Sequence, residues 1–136
     1  MIFEIGQEAS FSKTITETDV VNFAGISGDF NPVHINEVEA SKSRFGKRIC
    51  HGALINSYIS TVLGMYLPGP GTIYVSQESR FVKPVYLNDT ITATCKIVSI
   101  SESGKAEIQT MISNQNNEVV IEGKAVVILP NRKMEL

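Results

Sequence analysis

Asp29 and His34 lie five positions apart in the stretch G-D-F-N-P-V-H at residues 28–34, and they are the two side-chain types best suited to moving protons near neutral pH. An unperturbed histidine titrates near 6.5, and burial raises a carboxylate toward the same range. Gly28 and the Asn31-Pro32 pair stiffen the turn that joins them, so acid and base are expected side by side. Farther on, Gly52 opens an apolar segment whose helical spacing puts unpaired backbone N–H groups at its start, suited to charge growing on a carbonyl oxygen. A glycine there lets a substrate approach the backbone closely. Together these groups suit water adding to, or leaving from, a carbon–carbon double bond conjugated with a carbonyl. By residue type alone they suit structural hydrogen bonding equally well.

The elements that must position these groups follow from pattern. Residues 2–15 read as a strand with Phe11, Lys13 and Ile15 on one side and Ser10, Ser12 and Thr14 on the other. Thr16 or Thr18 caps a helix running to Ser27, with Val20, Phe23, Ala24 and Ile26 as its apolar stripe and Gly28 as its stop. A second short helix is predicted over residues 35–45, capped by Asn36, with Val38, Ala40 and Phe45 facing inward. The central helix runs from Gly52 to about Leu67, has no charged side chain, and ends at Pro68-Gly69-Pro70-Gly71. Four strands follow over residues 72–82, 89–101, 105–114 and 118–129. In the first of them Ile73, Val75 and Gln77 oppose Tyr74 and Ser76. The expected fold class is α+β, one buried helix wrapped by a curved antiparallel sheet, in a single domain over residues 1–136.

Composition narrows the partners. A net charge of −2 argues against nucleic acid, and the absence of an apolar run of about 18 residues argues against a membrane; a cytoplasmic protein is expected. Cys50 and Cys95 lack metal-ligand spacing, so two reduced thiols and no metal site are expected. Residues 42–48 hold four basic side chains, which suit either a solvated loop or a site for a phosphate-bearing ligand.

The heptapeptide at 28–34, followed by H-G at 51–52, resembles the MaoC-like, R-specific enoyl-CoA hydratases of the hydratase 2 type. The resemblance continues through S-Y-I-S-T-V-L-G at 57–64, L-P-G-P-G-T-I-Y at 67–74 and G-K-A-V-V-I-L-P at 123–130. It implies a hot-dog fold, an acyl-CoA thioester substrate, no cofactor, and a homodimer or higher homo-oligomer whose second subunit completes the substrate tunnel. It places the catalytic pair on Asp29 and His34 and the backbone donor to the thioester carbonyl on Gly52. Asn31, Ser60, Leu63 and Val126 become the substrate-binding candidates: Asn31 orders the turn, and the other three line the acyl chain. Without the resemblance, Ser60 reads as a core hydroxyl bonded to the Asn56 carbonyl, and Leu63 and Val126 as core. His51 reads as a structural partner of the helix start. Where such proteins often carry a proline ahead of the H-G pair, this chain has Arg48-Ile49-Cys50, so a less rigid approach to Gly52 is expected. The alternatives are a non-catalytic acyl-CoA-binding module, a hot-dog thioesterase, and an acyl-carrier-protein dehydratase. The missing helix carboxylate weighs against the last two.

Overall fold

A computed structural model describes residues 2–130; Met1 and residues 131–136, the ends of the expected domain, lie outside the described residues. The first strand is shorter than its pattern suggested: β1 spans Glu8–Thr14, with Phe11 and Lys13 on the more covered side. Its outer side chains pair with β3 (Thr90–Ile100) through hydroxyl bonds, Ser10 to Thr94, Ser12 to Thr92 and Thr14 to Thr90, each at 2.7–2.8 Å. With β4 (Lys105–Ser113), β5 (Val119–Ile128) and β2 (Ile73–Phe81) they form one antiparallel sheet ordered β1-β3-β4-β5-β2. The two hairpins turn where Gly104 and Asn117 take positive φ, as the Glu102-Ser103-Gly104 and Gln115-Asn116-Asn117 signals predict.

Two bulges change the expected alternation. In β2 the register shifts between Tyr74 and Ser76, so Tyr74, Gln77, Ser79 and Phe81 share the inner side opposite Val127, Ala125, Gly123 and Ile121. Tyr74 and Gln77 were expected on opposite sides; instead their side chains hydrogen-bond each other. A second shift, between Ile97 and Ser99, brings Ile100 to the inner side opposite the buried Ala106, while Val98 stays outward.

Among the helices, Thr16, not Thr18, caps α1 (Glu17–Ser27) through a reciprocal box with Asp19. Lys13 lies 2.7 Å from the Asp19 carboxylate and holds its pKa below the ordinary value against the opposing effect of burial. Val20 and Ala24 are fully buried, whereas Ile26 is 84% exposed and does not belong to the stripe. A separate single turn that Pro32 starts, α2 (Pro32–Ile35), precedes the helix predicted over 35–45. That helix is shorter, α3 (Glu37–Ser41), capped by Asn36; it buries Ala40 but leaves Val38 62% exposed.

The central helix α4 (Gly52–Met65) lays Leu54, Ile55, Ile59, Val62 and Leu63 on Ile91, Ala93, Cys95, Ile97, Ile108 and Ile112. Each of its large apolar side chains contributes about 1.5–3 kcal/mol by burial. The expected full enclosure is not met within one chain. Ala53, Ser57, Ser60, Gly64 and Met65 are exposed, because the sheet curves around one face of α4 only.

The β2–β5 pairing rests on Gly123, where an added Cβ would lie 1.9 Å from the Glu78 carbonyl oxygen. Gly123→Ala should therefore cost about 1–3 kcal/mol as an overpacked site. Gly25→Ala, on an open position of α1, should stabilise by up to about 1 kcal/mol through helix propensity. Denaturant melts of the two variants should move in opposite directions.

Candidate active site

The turn that carries Asp29 and His34 is built by consecutive local bonds. Gly28 ends α1 with a left-handed φ of 82° and donates its N–H to the Ala24 carbonyl at 2.8 Å. Ser27 Oγ accepts the Asp29 N–H at 3.1 Å, and Asp29 Oδ1 accepts the Asn31 N–H at the same distance. Asn31 Oδ1 caps α2 by accepting the Val33 N–H at 3.1 Å, with Pro32 as the first helical residue. Asn31 thus orders the turn as expected. Asp29 itself is exposed, whereas His34 is buried.

The imidazole of His34 lies face to face with that of His51, with centroids 3.9 Å apart and planes inclined by 28°. His34 Nδ1 is 2.8 Å from the Ile49 carbonyl oxygen, and His51 Nε2 is 2.8 Å from the carbonyl oxygen of Asp29. A carbonyl only accepts, so these two nitrogens carry the hydrogens, and in the neutral form of His34 its Nε2 is left as a lone pair. Burial pushes the His34 pKa below its ordinary value; the Ile49 carbonyl opposes this, His51 adds to it, and the Asp29 carboxylate opposes it. An Asp29 carboxylate oxygen and a ring nitrogen from each histidine lie within 4.8 Å of one another. One water with two hydrogen bonds of ordinary length spans that gap. The stacked rings aim their lone pairs along nearly parallel planes, so the trio does not suit a common metal ion.

Beside His34 opens a cavity of about 350 Å³ that Gly52 also lines. The first hydrogen bond of α4 is from the Ile55 N–H to the His51 carbonyl, and no side chain caps the start; the Gly52 N–H is one of those left free of a cap. A Cβ on Gly52 would meet the Phe81 ring at 2.9 Å, so glycine keeps this passage open. Ile49, Ile55, Val85 and Ile121 supply apolar walls, and Arg44 and Lys83 are the cations of the lining.

The other candidates are placed apart from this cavity. Ser60 is exposed on the uncovered face of α4, not a core hydroxyl; it is Ser57 that bonds back, to the Leu54 carbonyl at 2.6 Å. Leu63 is buried in the core below the sheet-facing side of α4. Val126 lies on the outer side of β5 near Ser99 and Glu107, because Ala125 and Val127 take the inward positions.

Arg48 was grouped with the basic loop, and its place explains why the missing proline does not loosen the approach to Gly52. Its side chain is buried, donates to the His34 carbonyl at 2.7 Å and pairs with Glu17 and Glu37, tying the turn to α1 and α3. The Ile49 N–H bonds the Val33 carbonyl and the Cys50 N–H bonds the Val85 carbonyl at 2.7 Å. No local pattern signals these contacts, since each joins residues far apart in sequence.

The MaoC-like domain family matches residues 3–120. An (R)-specific enoyl-CoA hydratase of Rhodospirillum rubrum is 46% identical over 93% of this chain and 88% of its own length. A 3-hydroxyacyl-[acyl-carrier-protein] dehydratase of Arabidopsis thaliana is 31% identical over 98% of this chain and 81% of its own. The solved (R)-hydratase of Aeromonas caviae, described as involved in PHA biosynthesis, superposes with a TM-score of 0.92 at 38% identity, covering 94% of this chain and 98% of that one.

A lowered histidine pKa keeps the ring neutral as pH falls past the ordinary value. If neutral His34 is needed, the acid limb of kcat/KM should lie below about pH 6.5, with activity present above it and lost as pH falls through the lowered pKa; a limb centred higher would contradict the assignment. Asp29→Asn and His34→Ala should each lower turnover by about 10² or more while the thermal melt stays cooperative.

Proposed function

This chain belongs to the MaoC-like family of the hot-dog fold, and we propose that within it the protein is an R-specific enoyl-CoA hydratase, adding water reversibly to trans-2-enoyl-CoA to give (R)-3-hydroxyacyl-CoA. The observation that carries this reading is the closeness of the Asp29 carboxylate to the His34 imidazole, within 4.8 Å, beside a cavity that His34 and the uncapped helix start at Gly52 line together. The thioester carbonyl oxygen takes the Gly52 N–H, which favours the negative charge that develops when C3 is attacked. Water held by Asp29 and His34 forms the O–C3 bond, gives up a proton to the pair, and a proton returns to C2. Reversed, the same steps expel water from the 3-hydroxyacyl thioester. The two groups act as a coupled pair.

The cavity's charges fit the carrier. Among the basic side chains, Arg48 is spent on the turn, Lys42 pairs with Glu39, Arg80 pairs with Glu122, and Lys47 lies over the Tyr86 ring. Arg44 and Lys83 are the two that line the cavity; Arg44 lies over the Phe45 ring and has no carboxylate partner among the described residues, and Lys83 pairs with Glu118. They are our phosphate-binding candidates. The resemblance to a dehydratase named for acyl-carrier-protein substrates favours a second reading, the same reaction on a carrier-protein thioester, and the missing helix carboxylate counts for less against it.

We also assign a homodimer. Strand β2 is a sheet edge with Ile73, Tyr74 and Val75 exposed, next to Met65 and Tyr66 at the end of α4. A second copy on this edge would cover the open face of α4 and bring Ser60 under a roof, where a role beside an acyl chain becomes geometrically reasonable. Leu63 and Val126 remain acyl-pocket candidates by resemblance. The buried free thiols Cys50 and Cys95, both pushed up to about 12 by burial, suit a reducing compartment, and we place the protein in the cytoplasm.

Mixing the protein with crotonyl-CoA should abolish the conjugated enoyl absorbance and yield the (R)-3-hydroxy product. Binding without turnover would mark the silent module, and release of free CoA the thioesterase. Crotonyl-carrier protein turned over far faster than crotonyl-CoA would favour the second reading. Arg44→Ala with Lys83→Ala should raise KM for crotonyl-CoA about tenfold or more, in line with lost charged hydrogen bonds, and leave KM for a phosphate-free crotonyl thioester unchanged. Light scattering should return twice the 14.9 kDa chain mass.

A further inference from the structure

His51 has no part in the chemistry derived above, yet it is among the least accessible polar residues of the molecule, at 1% exposure. It occupies the N-cap position of α4 without capping it. Its ring turns away from the helix start and reaches a residue far back in the chain, donating Nε2–H to the Asp29 carbonyl at 2.8 Å. On one side it stacks on His34 at 3.9 Å; on another it meets Phe23 of α1 edge-on at 4.9 Å. The ring therefore cannot swing without displacing α1 or the catalytic histidine. Its Nδ1 is the one buried side-chain nitrogen or oxygen, among the described residues, with no hydrogen-bond partner. Leaving that atom unpaired costs free energy, which an apolar side chain of similar size would avoid. What an apolar side chain would not supply is the bond to Asp29.

We propose that His51 is a positioning residue: its imidazole N–H fixes the main chain of Asp29 against the face of His34, and so sets the separation of the acid/base pair. Asp29 needs this hold because its residue is exposed, and its other bonds, to Ser27 and Asn31, are local to the turn. Only His51 ties it to the start of α4, where Gly52 meets the substrate carbonyl. A misplacement of about 1 Å at such a point costs up to about 10² in rate.

The proposal rests on the hydratase reading, and its test compares three substitutions. His51→Gln places an amide N–H where Nε2 lies; His51→Asn is a shorter amide that does not reach; His51→Leu fills the space without a donor. Turnover of crotonyl-CoA should fall about 10- to 100-fold in the Leu and Asn variants, with KM within about threefold of the parent, and the Gln variant should recover to within about fivefold. Parent-like kcat in the Leu variant, or a folded Gln variant as slow as the Asn variant, would overturn the proposal. Should the Leu variant fail to fold, the Gln and Asn variants decide by the same criterion. The amide resonance of Asn31, whose N–H is bonded to the Asp29 carboxylate, gives a readout without turnover. It should keep its parent shift in His51→Gln and move in His51→Asn, and identical shifts in both would refute the positioning role even if crotonyl-CoA proved not to be a substrate.

Discussion

The stacking of two imidazoles from opposite sides of a long connection is the contact on which the rest of this structure turns. His34 belongs to the turn after α1, and His51 immediately precedes α4. Because each ring spends one N–H on a main-chain carbonyl, the stack is also a cross-tie: Ile49 is fastened to His34, and Asp29 to His51. Two neutral rings tolerate a 3.9 Å approach; two cations at that distance would repel strongly. Burial and charge state thus reinforce one another, since the dry environment that favours neutral rings is the one that close packing creates.

That contact would be useless without a rigid partner surface. The sheet supplies it by holding α4 along one side through Ile55, Ile59, Val62 and Leu63, so that the start of the helix is fixed where the turn arrives. Arg48 reinforces the join from below. Its guanidinium is held by two glutamates on separate helices while its Nε grips the His34 carbonyl, so a buried cation serves here to orient backbone and not to bind ligand. The cavity opens in the remaining gap, lined by His34 and Gly52, by the apolar Ile55, Val85 and Ile121, and by the cations Arg44 and Lys83. A thioester with an apolar chain and an anionic carrier matches that set of surfaces.

The helix face left bare explains why one chain is only part of the assembly we propose. Small residues at 53, 57, 60 and 64 leave little side-chain bulk there, and the adjoining β2 edge is apolar at its Ile73–Val75 start and, among the described residues, unpaired on its outer side. An edge strand in this state favours association over solvent exposure.

The sequence alone determined what is local or periodic. Thr16 or Thr18 specifies a capped start for α1, Gly28 its end, Asn31-Pro32 the next turn, and Gly104 and Asn117 the hairpins. The 2-residue and 3.6-residue repeats specify five strands and one apolar helix, and the G-D-F-N-P-V-H stretch puts Asp29 and His34 in one turn. Tertiary structure decided everything that depends on residues distant in the chain. The β2 bulge reverses the side on which Tyr74 falls, because strand register is settled by the partner strand and not by the alternation of one segment. Val126 faces outward while its neighbour Val127 faces in, a difference of one residue that no apolar run can encode when both are valine. Arg48 looks like any basic loop residue until Glu17, Glu37 and the His34 carbonyl surround it. His51, beside an obvious helix start, shows its purpose only when the fold brings a carbonyl from the preceding turn within hydrogen-bonding reach. Local free energies write the elements into the sequence; the meeting of side chains across long loops has no local signature, and only packing selects it.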